Sequence, residues 1–452
     1  MRGLKSTIAL ALVLAGLGSY IYFVLQKEAE SGASAGPNLE KVFAGLTEDA
    51  IQEISLVSGS GDQTTVKRDG TAWQITQPVT ARAGQPEAQG VTSTLASMEV
   101  MRVIDENPTD LKQYGLEAPR LQASFKSSDA KIPSGTIVFG EKTPTGAGLY
   151  ARKEGDKRVL MVLEFHETPL NKSTFDMREK AFVSLSHDKI DGIEVAVPGR
   201  PALELKKENG DWRITKPIAA RADSTAVESL IARIETAQMK TIATEQATPA
   251  DLRKYGLDRP DVAVTVVMGD KRTTLAVGAK AGDELYAQEA GQPAVATVEG
   301  TIAADLKKGA VDYRPKMAFE MRSFNASHVE IARGKDTLVL DRVAGTGDNP
   351  VDSWKRASPN PGTADKEKVE AFLSALADVT ILSFADSTAG TGLDKPIMVV
   401  DARFQDGAKQ EKVTFGQNGS DIYMAHSADP GAGRVLAERY TDAAKKFDEL
   451  LK

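Results

Sequence analysis

The sequence predicts an α+β protein of three tandem repeats, each a largely antiparallel sheet with helices on one face, preceded by one transmembrane helix. Three observations predict it. A set of sequence landmarks occurs three times in the same order. Short strand patterns follow one another without a helix between each pair, which is typical of antiparallel sheets. An uncharged apolar run lies close to the N-terminus.

Length and composition indicate a globular protein and exclude several function classes. The 452 residues suggest about three domains, at roughly 100 to 200 residues each. The net charge of −7 argues against a nucleic-acid partner, because binding to phosphates requires clustered Lys and Arg. The chain contains no cysteine, which excludes disulfides, thiolate chemistry, cysteine-ligated metals and a cysteine-linked lipid anchor.

The N-terminal segment predicts a membrane anchor. Residues 8–25 carry no charge, and as a helix they would be about 27 Å long, close to the hydrocarbon thickness of a bilayer. Arg2 and Lys5 precede the run, so the positive-inside rule places the rest of the chain outside the cytoplasm. A cleavable signal peptide ending near Ala35 is the alternative, but its apolar core is usually only ~7 to 15 residues long. We therefore predict a single-pass membrane protein with the bulk of the chain exported, which in a bacterium means the periplasmic side of the inner membrane.

A tryptophan strand is the first repeated landmark. Asp69-Gly70 precedes Trp73 and Asn209-Gly210 precedes Trp212, while Trp354 is a fainter third copy. Asp-Gly or Asn-Gly between alternating runs predicts a tight hairpin, and the tryptophan begins the return strand. An indole buries a large apolar area, so we predict that all three tryptophans are core anchors.

A glycine-capped turn is the second landmark. Tyr114-Gly115 and Tyr255-Gly256 each end a short helical pattern, with a proline soon after, and Gly392 marks a truncated third copy without the tyrosine. Glycine followed by proline is typical of a helix C-terminus. Because the third copy lacks the tyrosine, we interpret these residues as structural landmarks. The predicted organisation is an anchor over residues 1–27, a flexible tether over 28–44, and repeat units over 45–183, 184–320 and 321–452.

Together these elements resemble the domain-of-unknown-function family 4340. The resemblance includes the anchor, the tryptophan hairpin, the Tyr-Gly-Leu turn, a strand ending in glycine, and the Arg-x-Lys segments at Arg178 and Arg314. It implies a bacterial protein with one N-terminal helix, often encoded beside ABC-type exporters of the gliding-motility kind. It also implies an exporter partner and supplies no catalytic residues. The third copy, with a longer loop at residues 345–349, departs most from the pattern.

A search for catalytic and cofactor motifs predicts none. The four histidines have no second ligand at i+2 or i+4, so we interpret them as scattered surface residues with no metal role: His166, His187, His328 and His426. No phosphate-binding loop or nucleophile elbow is recognisable. We therefore predict no catalytic residue, no cofactor and no metal.

Three functions remain open at this stage. The first is a non-enzymatic, membrane-anchored periplasmic scaffold or accessory protein, associated with an ABC-type exporter or another envelope protein. Tandem units supply a large contact surface, and the anchor raises the effective concentration near a membrane partner. The second is a module that binds envelope polysaccharide or peptide. The third, which the sequence favours least, is a hydrolase.

Overall fold

The structure is a computed structural model that describes residues 39–144, 146–345 and 352–452. The predicted anchor and most of the predicted tether lie outside these residues. Within the described ranges, no helix is long and apolar enough to cross a membrane. The chain divides into two compact units, residues 1–179 and 180–452, which are described separately below.

Three nine-stranded antiparallel sheets form the part of the protein that the structure describes, and all three have the same strand order. The prediction of largely antiparallel sheets is confirmed. The description α+β needs correction, because helices are few and the architecture is mostly β. Most consecutive strands pair directly with each other, so the helices account for little of the described chain. Below, each sheet with its helices is called domain 1, 2 or 3.

Sheet 1 belongs to the first unit and has the order β4-β3-β2-β1-β6-β7-β8-β9-β5. Its strands are β1 Ile51–Val57, β2 Gln63–Asp69, β3 Ala72–Gln77, β4 Ala81–Arg82, β5 Arg102–Asp105, β6 Leu121–Ser127, β7 Ser134–Lys142, β8 Gly148–Lys153 and β9 Val159–Leu163. In the middle of the sheet, Ile54 lies opposite Val66 on one side and Phe125 on the other. This register places three buried side chains in one row.

Sheets 2 and 3 belong to the second unit. Sheet 2 has the order β13-β12-β11-β10-β15-β16-β17-β18-β14, and sheet 3 the order β22-β21-β20-β19-β24-β25-β26-β27-β23. The strands of sheet 2 are β10 Gly192–Ala196, β11 Leu203–Glu208, β12 Asp211–Lys216, β13 Ala220–Arg221, β14 Ile242–Thr244, β15 Val262–Met268, β16 Lys271–Ala281, β17 Glu284–Glu289 and β18 Val295–Glu299. Those of sheet 3 are β19 Ala326–Arg333, β20 Asp336–Val343, β21 Ser353–Ser358, β22 Gly362–Ala364, β23 Ile381–Ala385, β24 Met398–Phe404, β25 Lys409–Asn418, β26 Asp421–His426 and β27 Ala432–Val435.

One longer helix follows the fourth strand of each sheet, a further long helix of 15 residues follows the last strand of sheet 3, and shorter helices occupy the connections. The α-helices are α1 Gln85–Ser97, α2 Glu167–Leu170, α3 Thr174–Met177, α4 Ser224–Glu235, α5 Pro249–Lys254, α6 Ile302–Leu306, α7 Lys366–Ala377 and α8 Ala437–Leu451. The 3-10 helices are Glu48–Ala50, Lys112–Tyr114, Glu164–His166, His187–Lys189 and Ala310–Tyr313. Asp223 and Asp365 are the N-caps of α4 and α7, and each carboxylate accepts backbone N–H groups of the first turn.

Each sheet has its own hydrophobic core on the face that the helices cover. In domain 2, Val227, Leu230 and Ile234 of α4 are buried in the same cluster as Ile193 and Val264 of the sheet. The same combination of helix and alternating strand residues forms the cores of domains 1 and 3. Because side chains alternate along a strand, the opposite face is left polar. On it, Glu53 of domain 1 forms ion pairs with two lysines.

A short segment before each domain has the same position in all three. Lys41, Ala181 and Met317 each form an isolated antiparallel bridge with the chain just after the long helix of their own domain. Val42 and Phe43 are buried in the core of domain 1. Residues 41–43, which fall at the end of the predicted tether, therefore pack with domain 1. A single bridged residue is too short to show the alternation of apolar and polar residues that marks a strand, so the sequence pattern did not predict these segments.

Candidate functional site

The three tryptophans lie at matching places in the three sheets. Trp73 is in β3, Trp212 in β12 and Trp354 in β21, and all are buried. The hairpin before Trp212 has positive φ at Asn209 and Gly210, as the Asn-Gly pair predicts. The Trp212 indole Nε1 donates a hydrogen bond of 3.1 Å to Glu228 of α4, so this residue joins its helix to its sheet. The structure thus places the three tryptophans in the hydrophobic cores.

The Tyr-Gly turns pack directly against the strands that end in glycine. Gly115, Gly256 and Gly392 have positive φ, which is the left-handed conformation that glycine adopts freely. A Cβ added to Gly140 would lie 2.0 Å from the carbonyl oxygen of Tyr114, and one added to Gly278 would lie 2.4 Å from that of Tyr255. Both glycines are therefore required for a close backbone approach.

The turn tyrosines contact a second tyrosine from the following strand. The ring centroids of Tyr114 and Tyr150 are 5.1 Å apart, and those of Tyr255 and Tyr286 are 4.4 Å apart. The Tyr114 hydroxyl donates to Asp105 at 3.2 Å. Burial and this carboxylate raise the pKa of Tyr114. These contacts are packing interactions within each domain, which agrees with the interpretation of the turns as structural landmarks.

An ionic cluster connects domains 2 and 3 and is the candidate functional site; all of its members are largely buried except Glu320, whose side chain is 41% exposed. It consists of Arg221, Glu320, Glu411, His426 and Asp429, and we call it the ion cluster. Domain 2 supplies Arg221 from the edge strand β13, and the segment between the domains supplies Glu320. Domain 3 supplies Glu411 from β25, His426 from the end of β26 and Asp429 from the turn before β27.

Arg221 and Asp429 form the central ion pair. The Arg221 backbone N–H donates to Asp429 Oδ1 at 2.8 Å, and its Nε donates to Oδ2 at 3.0 Å. Nη2 lies 2.9 Å from the same Oδ2 as an ionic contact, although its N–H is not aligned for a hydrogen bond. Nη1 donates to Glu320 at 3.3 Å. The Arg221 side chain is only 7% exposed, so water screens these contacts little.

Glu411 and His426 form a second buried pair beside the first. Glu411 accepts the backbone N–H groups of Glu320 at 2.9 Å and Met321 at 2.8 Å, which fixes the interdomain segment to domain 3. The Ala428 N–H donates to His426 Nδ1 at 3.1 Å, so Nδ1 has no proton and Nε2 carries it. Nε2 then donates to Glu411 at 3.2 Å. A neutral histidine therefore shares this carboxylate with two amides.

Further cations surround the ion cluster. Lys409 contacts Asp211 across the two domains at 2.6 Å and Glu320 at 3.7 Å. Arg314 is buried with its guanidinium 3.8 Å from the centroid of the Phe384 ring, and it donates to the carbonyl of Pro430 at 3.3 Å. Burial lowers the pKa of Arg314, and the nearby Asp429 carboxylate opposes that shift. Contacts of several kinds therefore join domain 2 to the turn that carries Asp429.

A cleft of about 610 Å³ opens beside the ion cluster. Its walls come from β12 and the start of α4 in domain 2, from the interdomain segment, and from β25 and β26 in domain 3. Within the described residues, no group of three or more His, Asp or Glu side chains is arranged to hold a metal ion. The acids of the cluster instead accept hydrogen bonds from a guanidinium, an imidazole and backbone amides, an arrangement that holds two domains together.

Sequence reasoning missed most of the ion cluster and misjudged the histidines. His166 and His426 are buried, so the interpretation of all four as surface residues is wrong for these two. Burial lowers the pKa of His166. One signal was present in the sequence: Ala-Arg follows both tryptophan hairpins, as Ala81-Arg82 and Ala220-Arg221. Nothing local marks Glu411 or Asp429, because their importance arises only when the domains meet.

Comparison with curated proteins found no match. The family model for Domain of unknown function (DUF4340) matches residues 73–211 and 212–435, well over half of the chain. The two matched segments do not coincide with the three sheets, since their boundary falls within β12. The match confirms the family predicted from the tryptophan hairpin and the Tyr-Gly turn: the chain belongs to the DUF4340 family.

Proposed function

We propose that the protein is a non-enzymatic scaffold or accessory protein, held at the bacterial inner membrane by its N-terminal segment, with its domains in the periplasm. Its proposed partner is a membrane protein of the envelope, with an ABC-type exporter as the first candidate. We further propose that its three domains arose as tandem copies of one unit. The anchor, the location and the partner rest on the sequence pattern of residues 1–27 and on the family resemblance.

The observation that supports a scaffold best is the ion cluster. A protein that positions partners needs fixed angles between its domains, and buried ion pairs favour one arrangement over others. Removal of one member would leave a buried charge without a partner, which makes alternative domain angles costly. The two most deeply buried acids at the junction contribute to this connection. Glu411 accepts a hydrogen bond from the interdomain segment, and Asp429 accepts one from Arg221 of domain 2.

Affinity purification from detergent-solubilised membranes tests the proposal. The full chain should recover a membrane protein in constant ratio, and Arg221→Ala should recover less of it because the domain angle is no longer fixed. Arg272→Ala is the matched control, since Arg272 forms an exposed ion pair with Glu194 within domain 2. Recovery of the chain alone, together with turnover of a substrate abolished by one carboxylate substitution, would contradict the scaffold.

A further inference from the structure

The acidic side chains that line the cleft between domains 2 and 3 have partners within the protein, whereas some of the basic side chains that line it have no acidic partner among the residues that the structure describes. Asp211 contacts Lys409 at 2.6 Å, and Glu320 accepts from Arg221 at 3.3 Å. Glu411 accepts two backbone amides and the histidine. The fourth acid, Asp223, caps α4 by accepting the N–H of Ala226 at 3.1 Å.

Two cations that line the cleft donate their side-chain hydrogen bonds to carbonyls, and Lys316 Nζ also lies 5.2 Å from the centroid of the Phe384 ring. Lys316 donates to the carbonyl of Val311 at 2.7 Å, and Arg322 donates to those of Phe319 at 2.8 Å and Met321 at 2.9 Å. In the part of the chain that the structure describes, neither forms an ion pair with a carboxylate. Both are partly exposed to the cleft. Carbonyl oxygens and an aromatic ring carry no net negative charge, so the two cations remain free to attract an anion.

Two further residues that line the cleft offer neutral hydrogen-bond donors. Ser224 and Thr225, the first residues of α4, are exposed and line the same cleft. Hydroxyl groups donate to carboxylate and phosphate oxygens without adding charge. A ligand between the walls would contact domain 2 through these hydroxyls and the interdomain segment through Lys316 and Arg322. Ligand sites occur preferentially at such domain junctions, and 610 Å³ is within the usual size of a small-molecule site.

We propose that this cleft binds a small anionic ligand bearing carboxylate or phosphate groups, with Lys316 and Arg322 as its cationic contacts. The ligand is either a free anion or the acidic end of an envelope polysaccharide, and the two sources share this chemistry. The proposal goes beyond the scaffold function and is independent of the membrane partner. It predicts that the ligand bridges domain 2 and the segment leading into domain 3.

Calorimetric titration of the full chain in detergent tests the site, with inorganic phosphate, citrate and oligogalacturonate as the probes. We expect saturable binding that weakens as the salt concentration rises. Lys316→Gln and Arg322→Gln should each weaken it about tenfold, the loss expected for one charge-assisted contact. Lys335→Gln is the matched control, because Lys335 is exposed in a hairpin turn outside the cleft. Tighter binding of oligogalacturonate than of citrate would identify the polysaccharide source, and the reverse would identify a free anion.

A second measurement needs no variant and so avoids any loss of folding. Lysine acetylation of the wild-type chain, followed by mass spectrometry, should show that citrate or phosphate protects Lys316 while Lys335 reacts unchanged. Absence of saturable binding by all three probes would overturn the proposal. Equal weakening by the control variant, or equal protection of both lysines, would also overturn it. None of these results depends on recovery of a membrane partner.

Discussion

Arg221→Ala is predicted to destabilise the connection between domains 2 and 3 strongly. It removes two guanidinium hydrogen bonds, to Asp429 at 3.0 Å and to Glu320 at 3.3 Å. It also leaves Asp429 and Glu411 without their cation, although their side chains are only 9% and 3% exposed. Breaking a buried ion pair by removing one partner costs about 3 to 5 kcal/mol, and we expect this range here.

Urea denaturation of the full chain measures the loss, and hydrogen exchange locates it. The amides of Glu320 and Met321 donate to Glu411, so their exchange should accelerate in the variant if the ion cluster loosens as a unit. Arg272→Ala is the control, because its side chain is 53% exposed in an ion pair with Glu194. Exposed pairs contribute about 0 to 1 kcal/mol, so the control should change stability little.

A double-mutant cycle measures the coupling energy between Arg221 and Asp429. Arg221→Ala and Asp429→Ala should be strongly non-additive, with a coupling energy of at least about 1.5 kcal/mol, because the two side chains act as one pair. A loss below about 1 kcal/mol for Arg221→Ala would refute the reasoning. Additive effects of the two substitutions would refute it as well.

Three further predictions concern single residues. Trp212→Ala should cost about 3 to 5 kcal/mol in the free energy of unfolding, measured by denaturant titration, because the indole is buried. Gly278→Ala should lower the melting temperature, since the new Cβ would lie 2.4 Å from a carbonyl oxygen. Gly90 lies in α1 with open space around it, so Gly90→Ala is the contrasting control and should stabilise the protein by up to about 1 kcal/mol. Lys206 and a second lysine hold the pKa of Glu204 at about 2, below its usual 4.5. The stabilisation that the ionised Glu204 provides is therefore complete above about pH 5 and is lost as the pH falls from about 4.5 to 2. We expect it to contribute about 1 kcal/mol to the free energy of unfolding, because the two lysines are exposed. Stability curves in which Glu204→Gln has the same acid transition as the wild type would contradict this.

The repeated elements of the fold were predictable because each is encoded within a few residues. The Asn209-Gly210 pair specifies its hairpin, and the spacing of Val227 and Leu230 specifies the buried face of α4. The nine-strand order could not be predicted, because the pairing of the first strand with the sixth joins residues far apart in the chain. Short edge strands such as Ala220–Arg221 are too brief to show alternation.

The ion cluster could not be predicted for a related reason. Its members are separated by up to 208 positions, and none belongs to a recognisable motif. An isolated arginine at a strand end is usually a surface residue, and only the approach of domain 3 buries Arg221. Tryptophans and glycines were recognisable because burial and backbone conformation restrict those positions to particular residue types. Charged residues at a domain junction have no such local constraint.

The rigid connection between domains 2 and 3 is the central claim, and a distance measurement tests it most directly. The chain has no cysteine, so Lys271→Cys places one spin label at the exposed start of β16 in domain 2, and Lys335→Cys places another in an exposed hairpin turn of domain 3. Pulsed electron resonance on the doubly labelled full chain should give one narrow distance distribution, which broadens when Arg221→Ala is added. A broad distribution in the chain that retains Arg221 would contradict the claim.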